Sequence, residues 1–85
     1  MMYEVFVEEK ENLFIAHLAL KDKRIIKDKL LDLQNGNFSG DKALKGRHKG
    51  KFRKRAGNFR IIYQKQQDKL IICVIRIADR KEVYD

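Results

Sequence analysis

The sequence predicts an α+β domain, in which an antiparallel-rich sheet carries a helical hairpin on one face. Two observations lead to that class. The first half of the chain holds two apolar segments of helical length, joined by a short polar turn. The second half holds segments typical of strands, separated by Gly, Asn and polar turns. The predicted order is β-α-α-β-β-β, and the 85 residues make a single domain, 1–85, with one modest core.

The first strand and the first helix come from the start of the chain. Residues 2–7 alternate loosely between apolar and polar side chains, with the β-branched and aromatic content that strands prefer. The apolar residues 13–20 are too many for an edge strand and predict a helix over about residues 10–20, capped by Asn12. His17 has no second histidine or acid at helical spacing, so we expect it at the surface or half-buried.

A second helix is predicted over about residues 23–35. Its apolar residues Ile26, Leu30 and Leu33 recur at i, i+4 and i+7 and form one stripe. Asp22 is the expected N-cap, and the Asn and Gly that follow are residues that end helices. Two helices joined by a short turn form an antiparallel hairpin, and the sheet is the only surface against which this hairpin can bury its stripe.

The remaining strands follow a glycine-containing loop over residues 38–49. Residues 51–55 and 59–64 alternate as strands and flank Ala-Gly-Asn, which favours a tight turn, so they predict a hairpin. Tyr63, in the second strand of that hairpin, is expected to pack in the core. Residues 70–77 are apolar on both faces, which is typical of a central strand.

Residues 42–60 carry the excess charge of the chain. They hold nine Lys or Arg side chains and no Asp or Glu, whereas the other 66 residues carry 11 basic and 12 acidic side chains. Because Lys51, Arg53 and Arg55 alternate along a strand, we expect them to line the sheet face away from the helices. A solvated edge strand would not need so many cations without one anion. A polyanionic partner is therefore favoured, and the expected substrate-binding residues are Lys45, Arg47, Lys49, Arg53, Lys54 and Arg55.

Other classes of protein find little support in the sequence. The longest apolar run, residues 70–75, is too short to span a membrane, and the start of the chain does not resemble a signal peptide, so we expect a cytoplasmic protein. The single cysteine, Cys73, forms no internal disulfide and is expected to be buried and inert. One thiol does not make a metal site, and we expect neither a metal nor another cofactor.

Three motifs resemble the RelE/ParE superfamily of toxins from bacterial and archaeal toxin–antitoxin pairs. They are Leu-Lys-Gly at residues 44–46, Arg-Ala-Gly-Asn-Phe-Arg-Ile-Ile-Tyr at residues 55–63 and Arg-Lys-Glu-Val-Tyr at residues 80–84. The predicted helical hairpin also fits, so the likeness covers essentially the whole chain. RelE-like members cut messenger RNA in the ribosomal A site, whereas ParE-like members share the fold and poison DNA gyrase. The resemblance implies a cognate antitoxin, which we expect to be a small acidic protein.

The resemblance also implies the site residues. Lys51 and Arg53 match the basic strand of the RelE-like site, and Arg60 matches the arginine that stabilises the scissile phosphate. Arg80 and Tyr84 match an arginine after the last strand and a terminal tyrosine. Catalytic roles are therefore expected for a set of four residues, namely Lys51, Arg60, Arg80 and Tyr84.

The favoured function is a ribosome-dependent messenger RNA endonuclease that uses no metal. Attack by the 2′-hydroxyl needs a base, an acid and cations around the phosphate. The acid and the base stay open, because Asp79 stands where many members have histidine. His48 is one candidate. Tyr84, Lys51 and Lys54 are others, since crowded cations and phenols release protons more easily. Two alternatives remain: an inhibitor that binds gyrase and cuts nothing, and a non-catalytic nucleic-acid-binding module.

Overall fold

Residues 2–80, described by a computed structural model, form two helices and a five-stranded mixed sheet. In chain order the elements are β1 (Glu4–Val7), α1 (Glu9–Ala16), α2 (Leu20–Gln34), β2 (Lys42–Ala43), a 3-10 helix (Gly46–His48), β3 (Lys51–Ala56), β4 (Phe59–Gln66) and β5 (Ile71–Asp79). The sheet order is β1-β5-β4-β3-β2, with β1 parallel to β5 and the other pairs antiparallel. The predicted α+β class is confirmed, and β2 is an addition to the predicted order. Within these residues, neither helix is long and apolar enough to cross a membrane.

The interior of the sheet contains β5, as its apolar sequence predicts. On one side Ile72 stands opposite Val5 of β1, and on the other side Ile77 stands opposite Ile61 of β4. A strand that is hydrogen-bonded to a neighbour on each edge needs no charged side chains to prevent pairing with another chain. It can therefore be apolar throughout. The parallel β1–β5 pair joins the beginning of the chain to its end.

Both helices pack on one face of the sheet, and the core lies between the two layers. Ile26 and Leu33 of α2 are fully buried against the sheet, and Leu30 packs beside them, so the predicted stripe is confirmed. Phe14 of α1 meets Phe59 of β4 edge to face, with ring centroids 6.0 Å apart. Each large apolar side chain that is fully buried contributes roughly 1.5–3 kcal/mol of transfer free energy.

The turn between the helices lies earlier in the chain than predicted. α1 ends at Ala16 and α2 begins at Leu20, so the turn comprises residues 17–19 rather than residues 21–23. Leu18 lies in this turn and packs against the core. The run of apolar residues that suggested one continuous helix therefore spans the end of α1, the turn and the start of α2.

The predicted helix caps are wrong. The N-caps are Glu8 for α1 and Ala19 for α2, and neither makes a side-chain capping hydrogen bond. Asn12 lies inside α1, where its side-chain amide donates to the carbonyl oxygen of Val7 at 3.3 Å. Asp22 lies in the first turn of α2, where its negative charge interacts favourably with the positive end of the helix dipole.

The predicted hairpin is confirmed, and its strands are longer than expected. β3 and β4 turn through Gly57 and Asn58, and Gly57 has a φ of 62°, which favours glycine. A Cβ atom at Gly57 would lie 3.3 Å from Cγ2 of Ile25 on α2. Glycine at this position therefore allows both the tight turn and the close packing of α2.

The loop predicted over residues 38–49 contains regular structure. Lys42 and Ala43 pair with Arg53 and Phe52 and so form the edge strand β2, and the 3-10 helix follows before β3 begins. A strand of two residues places one side chain on each face. Its alternation is too short to be recognised in the sequence.

The edge of β5 beyond the end of β1 is closed by a side chain of α1. The pairing of β1 with β5 stops at Val7 and Val74. Further along, the backbone N–H of Ile77 donates to Oε1 of Glu11 at 2.8 Å, and Glu11 is buried. A buried backbone donor needs an acceptor, and here a carboxylate takes the place of a strand. Glu11 was not among the residues singled out from the sequence.

Candidate active site on a cationic sheet face

The face of the sheet opposite the helices is lined by cations. Residues directly opposite each other in neighbouring strands share a face. Lys42 stands opposite Arg53, Arg55 stands opposite Arg60, and Lys51 stands opposite Gln64. The row of three cations on β3 therefore lies away from the helices, as predicted. We call this surface the cationic face, and its residues are Lys42, Lys51, Arg53, Arg55 and Arg60.

Arg60 and Arg80 meet at a cleft at one end of the cationic face. The cleft has a volume of about 570 Å³ and is lined by Asn58, Arg60, Asp79 and Arg80. The backbone N–H of Arg80 donates to the carbonyl oxygen of Asn58 at 2.8 Å, which ties the end of β5 to the β3–β4 turn. The residue opposite Arg60 on β5 is Ala78, whose methyl group occupies little space on this face. The structure thus brings together two of the predicted catalytic residues.

Lys51 lies at the other end of the cationic face. Its partner on β4 is Gln64, four residues along the strand from Arg60. At about 3.3 Å per residue, the two backbone positions are roughly 13 Å apart. One small group cannot touch both positions, whereas an extended nucleic-acid strand lying along β3 can contact both side chains.

The middle of the face has an apolar floor and an arginine that sequence analysis missed. Ile62 of β4 is fully buried although it does not belong to the main core cluster. It stands opposite Arg53 on β3 and Arg76 on β5. Arginine packs its aliphatic stem on apolar surface while its guanidinium stays in water. In the sequence, the only indication of a role for Arg76 is that it is a single cation inside an otherwise apolar strand.

Lys54 does not lie on the cationic face, which corrects its predicted role in substrate binding. Strand alternation turns it toward the helices, opposite Ile61, where it is 4% exposed. Its Nζ lies 3.0 Å from Oδ1 of Asp41, and Oδ2 of Asp41 accepts a hydrogen bond from the hydroxyl of Tyr63. The charge of Lys54 is therefore neutralised inside the protein. We call these three residues the buried cluster.

Tyr63 is a core residue, as predicted. Its ring is fully buried and stacks between Phe38 and Phe52, with centroid distances of 6.2 Å and 5.6 Å. Burial raises the pKa of Tyr63 far above its usual value, and the hydrogen bond to Asp41 and the charge of Asp41 raise it further. The phenol therefore stays protonated near neutral pH and donates its hydrogen bond to Asp41.

His48 occupies the end of the 3-10 helix, close in sequence to Lys51. Desolvation, followed by the positive charges of Lys51 and Arg47, lowers the pKa of His48 below its usual 6.5. The imidazole is therefore mostly neutral at pH 7 and has a nitrogen that can accept a proton. His48 precedes β3, so it lies toward the Lys51 end of the cationic face, away from the cleft of Arg60.

The remaining cations predicted to bind substrate lie on the loop before β3. The side chains of Lys45, Arg47 and Lys49 are exposed there. Neither the strand register nor the lining of the Arg60 cleft includes them. Tyr84, predicted to be catalytic, lies outside the described residues.

Two further predictions concern His17 and Cys73. His17 is exposed, as expected, and its Nδ1 lies 2.7 Å from the carbonyl oxygen of Leu13. Cys73 is half-buried rather than buried. Between residues 2 and 80, no group of three or more His, Cys, Asp or Glu side chains is placed to hold a metal ion.

The fold is shared with solved structures of bacterial and archaeal toxins. A chain of the archaeal RelE–RelB complex from Pyrococcus horikoshii is 19% identical, with a TM-score of 0.82, and the match covers 98% of this chain and 100% of that chain. The YoeB/ParE toxin from Agrobacterium tumefaciens is 17% identical, with a TM-score of 0.75 and coverage of 89% and 96%. The isolated Escherichia coli RelE toxin is 18% identical, with a TM-score of 0.71 and coverage of 91% and 83%. No curated protein sequence matches the chain.

These matches and the observed architecture show the RelE/ParE fold, and a matching family model shows the class of the protein: it is a toxin of a type II toxin–antitoxin system. The chain belongs to the family described as the ParE toxin of type II toxin-antitoxin system, parDE, whose model matches residues 7–84. The predicted superfamily is thereby confirmed. The matched range includes both helices, the cationic face and the cleft of Arg60.

Proposed function

We propose that this toxin is an endoribonuclease that cleaves messenger RNA in the ribosomal A site. The position of Arg60 carries the proposal. It lies on the cationic face, opposite Arg55, and lines a cleft together with Arg80. Planar guanidinium groups from two different strand ends can hold one phosphodiester between them, because each can donate two parallel hydrogen bonds to phosphate oxygens. Messenger RNA as the substrate and dependence on the ribosome are inferred from the resemblance to RelE-like members.

In the proposed reaction, the 2′-oxygen of a nucleotide forms a bond to the adjacent phosphorus, and the bond from phosphorus to the 5′-oxygen breaks. The products are a 2′,3′-cyclic phosphate and a 5′-hydroxyl. A base takes the proton of the 2′-hydroxyl, and an acid protonates the leaving 5′-oxygen. Negative charge grows on the phosphorane between these events. Arg60 and Arg80 stabilise that charge with donors that are already in place.

The proton transfers are assigned to Lys51 and Tyr84, which match positions of the RelE-like site and whose protons neighbouring cations make easier to release. His48 is a third candidate, because its neutral imidazole can accept a proton at pH 7. Lys51 and His48 lie toward one end of the cationic face, and the cleft of Arg60 and Arg80 lies toward the other end. Because these two candidates are far from the cleft, alignment of the 2′-hydroxyl supplies much of the rate, and the ribosome is the agent that holds the RNA.

A second candidate function is inhibition of DNA gyrase without cleavage of RNA. The match to the ParE toxin model favours it, because ParE-like members act on gyrase. In that case the cationic face would contact a protein or DNA surface, and the cleft of Arg60 would bind without catalysis.

We also propose that a small acidic antitoxin neutralises the toxin by covering Lys51, Arg53 and Arg60. An apolar groove between β1 and α2, with a volume of about 240 Å³ and Val5, Val7, Leu30 and Leu31 in its lining, offers a second contact for an added helix or strand. An acidic companion should co-purify from the native operon, and the toxin expressed alone should arrest growth. A toxin that purifies from the native operon without a companion, and that does not arrest growth when expressed alone, would contradict the proposed antitoxin.

The experiment that tests the function compares two substrates. Purified toxin is added to a cell-free translation reaction, and the message is mapped by primer extension. In parallel, the toxin is added to gyrase acting on supercoiled plasmid. Cuts within codons positioned in the A site, with gyrase unaffected, are the expected result. An intact message together with inhibited gyrase would replace the nuclease proposal with the gyrase-directed function.

A further inference from the structure

A second cleft lies beside the cleft of Arg60 on the cationic face. It has a volume of about 280 Å³ and is lined by Gly40, Lys42, Arg53, Arg55 and Arg60. The four charged side chains in its lining are all cations, and they belong to the neighbouring strands β2, β3 and β4. Arg60 lines both clefts, so the two form one continuous track across the face.

The cations of this second cleft face each other in a way that costs stability. Lys42 is directly opposite Arg53, and Arg55 is directly opposite Arg60. Like charges at directly opposed positions of an antiparallel pair destabilise a sheet. Lys42, Arg53 and Arg55 take no part in the ion pairs Lys29–Asp32 and Lys54–Asp41 found within residues 2–80.

The nearest acidic residue in sequence is turned away from the cleft. Asp41 directly precedes Lys42, but its side chain points into the core, where it bonds to Lys54 and Tyr63. Successive residues of a strand point to opposite faces, so the same alternation that exposes Lys42 buries the carboxylate of Asp41. The second cleft is thus kept positive although an acid adjoins it in the chain.

We propose that this second cleft is a phosphate subsite, in which Lys42 and Arg55 bind the phosphate next to the scissile one on the same single strand of RNA. The inference rests on the proposed nuclease function and names how the substrate is held. The track from β2 to β4 spans two strand spacings, about 10 Å. A stacked strand carries one phosphate for about every 3.4 Å of its helix axis. The track is therefore long enough to contact more than one phosphate at once.

The test uses binding of an RNA that cannot be cut. The probe is a short single-stranded RNA, 2′-O-methylated throughout and labelled with fluorescein, and affinity is measured by anisotropy from low to physiological salt. Lys42→Gln and Arg55→Gln should each weaken binding about tenfold, the effect of one charged hydrogen bond. Each should also reduce the slope of log affinity against log salt by about 0.7, the value for one phosphate contact with a single strand. Arg24→Gln is the matched control, because it removes one exposed charge from α2 on the other side of the sheet.

A second measurement separates this role from a structural one. If Arg55 opposes another cation only to bind phosphate, Arg55→Gln should raise Tm by about 1–5 °C in the absence of RNA, while Arg24→Gln leaves it unchanged. Weaker binding together with a higher Tm supports the subsite. A lower Tm would show that Arg55 serves the fold, and it would overturn the proposal.

Equal losses for Lys42→Gln, Arg55→Gln and Arg24→Gln would also overturn the proposal, because binding would then follow net charge alone. This failure is distinct from failure of the proposed function. A wild-type toxin that leaves messages intact ends the nuclease assignment, yet it can still bind the uncleavable strand through the second cleft. A toxin that cuts messages normally but shows no specific loss on Arg55→Gln keeps its function and lacks the subsite.

Discussion

Two neighbouring residues of β3 show how differently the two faces of the sheet use a cation. Lys54 is 4% exposed under the helices and is bonded to Asp41. Arg53, the residue before it, lies on the cationic face opposite Lys42. On the core face, each charge must have a partner, because an unpaired buried charge is strongly unfavourable. On the cationic face, solvent and salt screen the cations from one another, so like charges can stand opposite each other on neighbouring strands.

Strand periodicity, rather than the density of charge in the sequence, decides whether a cation is buried and paired or lies on the cationic face. All nine cations of residues 42–60 suggested binding, yet one of them belongs to the buried cluster. The remaining cations of β3 share a face because they are two residues apart. Substitutions on each face of the sheet can test this contrast.

The buried cluster should depend strongly on its one carboxylate. Asp41→Asn keeps the shape of the side chain but leaves the ammonium of Lys54 buried without a counter-charge, so the free energy of unfolding should fall by about 3–5 kcal/mol. The matched control is Asp32→Asn, which removes an acid from a solvent-accessible i,i+3 pair with Lys29 at 3.7 Å. That change should cost less than about 1 kcal/mol. Urea unfolding measures both, and similar losses would contradict the contrast between the two faces.

The cationic face should depend on Arg60 for rate rather than for stability. Arg60→Ala should lower the single-turnover rate of cleavage on programmed ribosomes by about 10²–10³, the usual loss for one preorganised donor to a developing oxyanion. Arg60→Lys should restore little, because an ammonium lacks the planar fork. Arg24→Ala on α2 serves as the control and should cut at the wild-type rate. If Arg60→Ala cuts equally fast, Arg60 is not catalytic.

The hydroxyl of Tyr63 should contribute less than the carboxylate it bonds. Tyr63→Phe should lower the free energy of unfolding by about 1–3 kcal/mol near neutral pH, since it removes a donor to a buried charge. Because the pKa of Tyr63 is raised in the folded state, this contribution is complete below pH 10 and is lost as the pH rises above 10. The difference in stability between wild type and Tyr63→Phe should therefore narrow in that range. A difference that stays constant to high pH would show that the pKa of Tyr63 is not raised in the folded state.

The smallest expected effect concerns His48. Its pKa should lie below 6.5 in an NMR titration, and Lys51→Gln should move that pKa upward, because the charge of Lys51 is the larger of the two electrostatic causes. The control is Lys21→Gln, which removes an exposed charge from α2. An unchanged midpoint in Lys51→Gln would show that the charge of Lys51 does not lower the pKa of His48.

Sequence periodicity determined the elements and the sides on which their residues lie. The spacing of Ile26, Leu30 and Leu33 predicted the buried stripe of α2, and the alternation of β3 predicted the row of cations. These inferences succeed because side-chain direction follows from the backbone repeat within one element. They fail at helix ends, where the turn through Leu18 depended on packing against the sheet.

Only the tertiary structure decided which distant residues meet. Glu11 and Ile77 are 66 positions apart, and Asp41 and Tyr63 are 22 apart; no local pattern joins them. The two clefts that meet at Arg60 likewise exist because the sheet order puts β4 beside both β3 and β5. The sequence by itself determined that one strand would carry a row of cations on a single face. The order and register of the strands determined which cations of other strands lie beside that row, because long-range hydrogen bonding alone sets the positions of cations on different strands relative to one another.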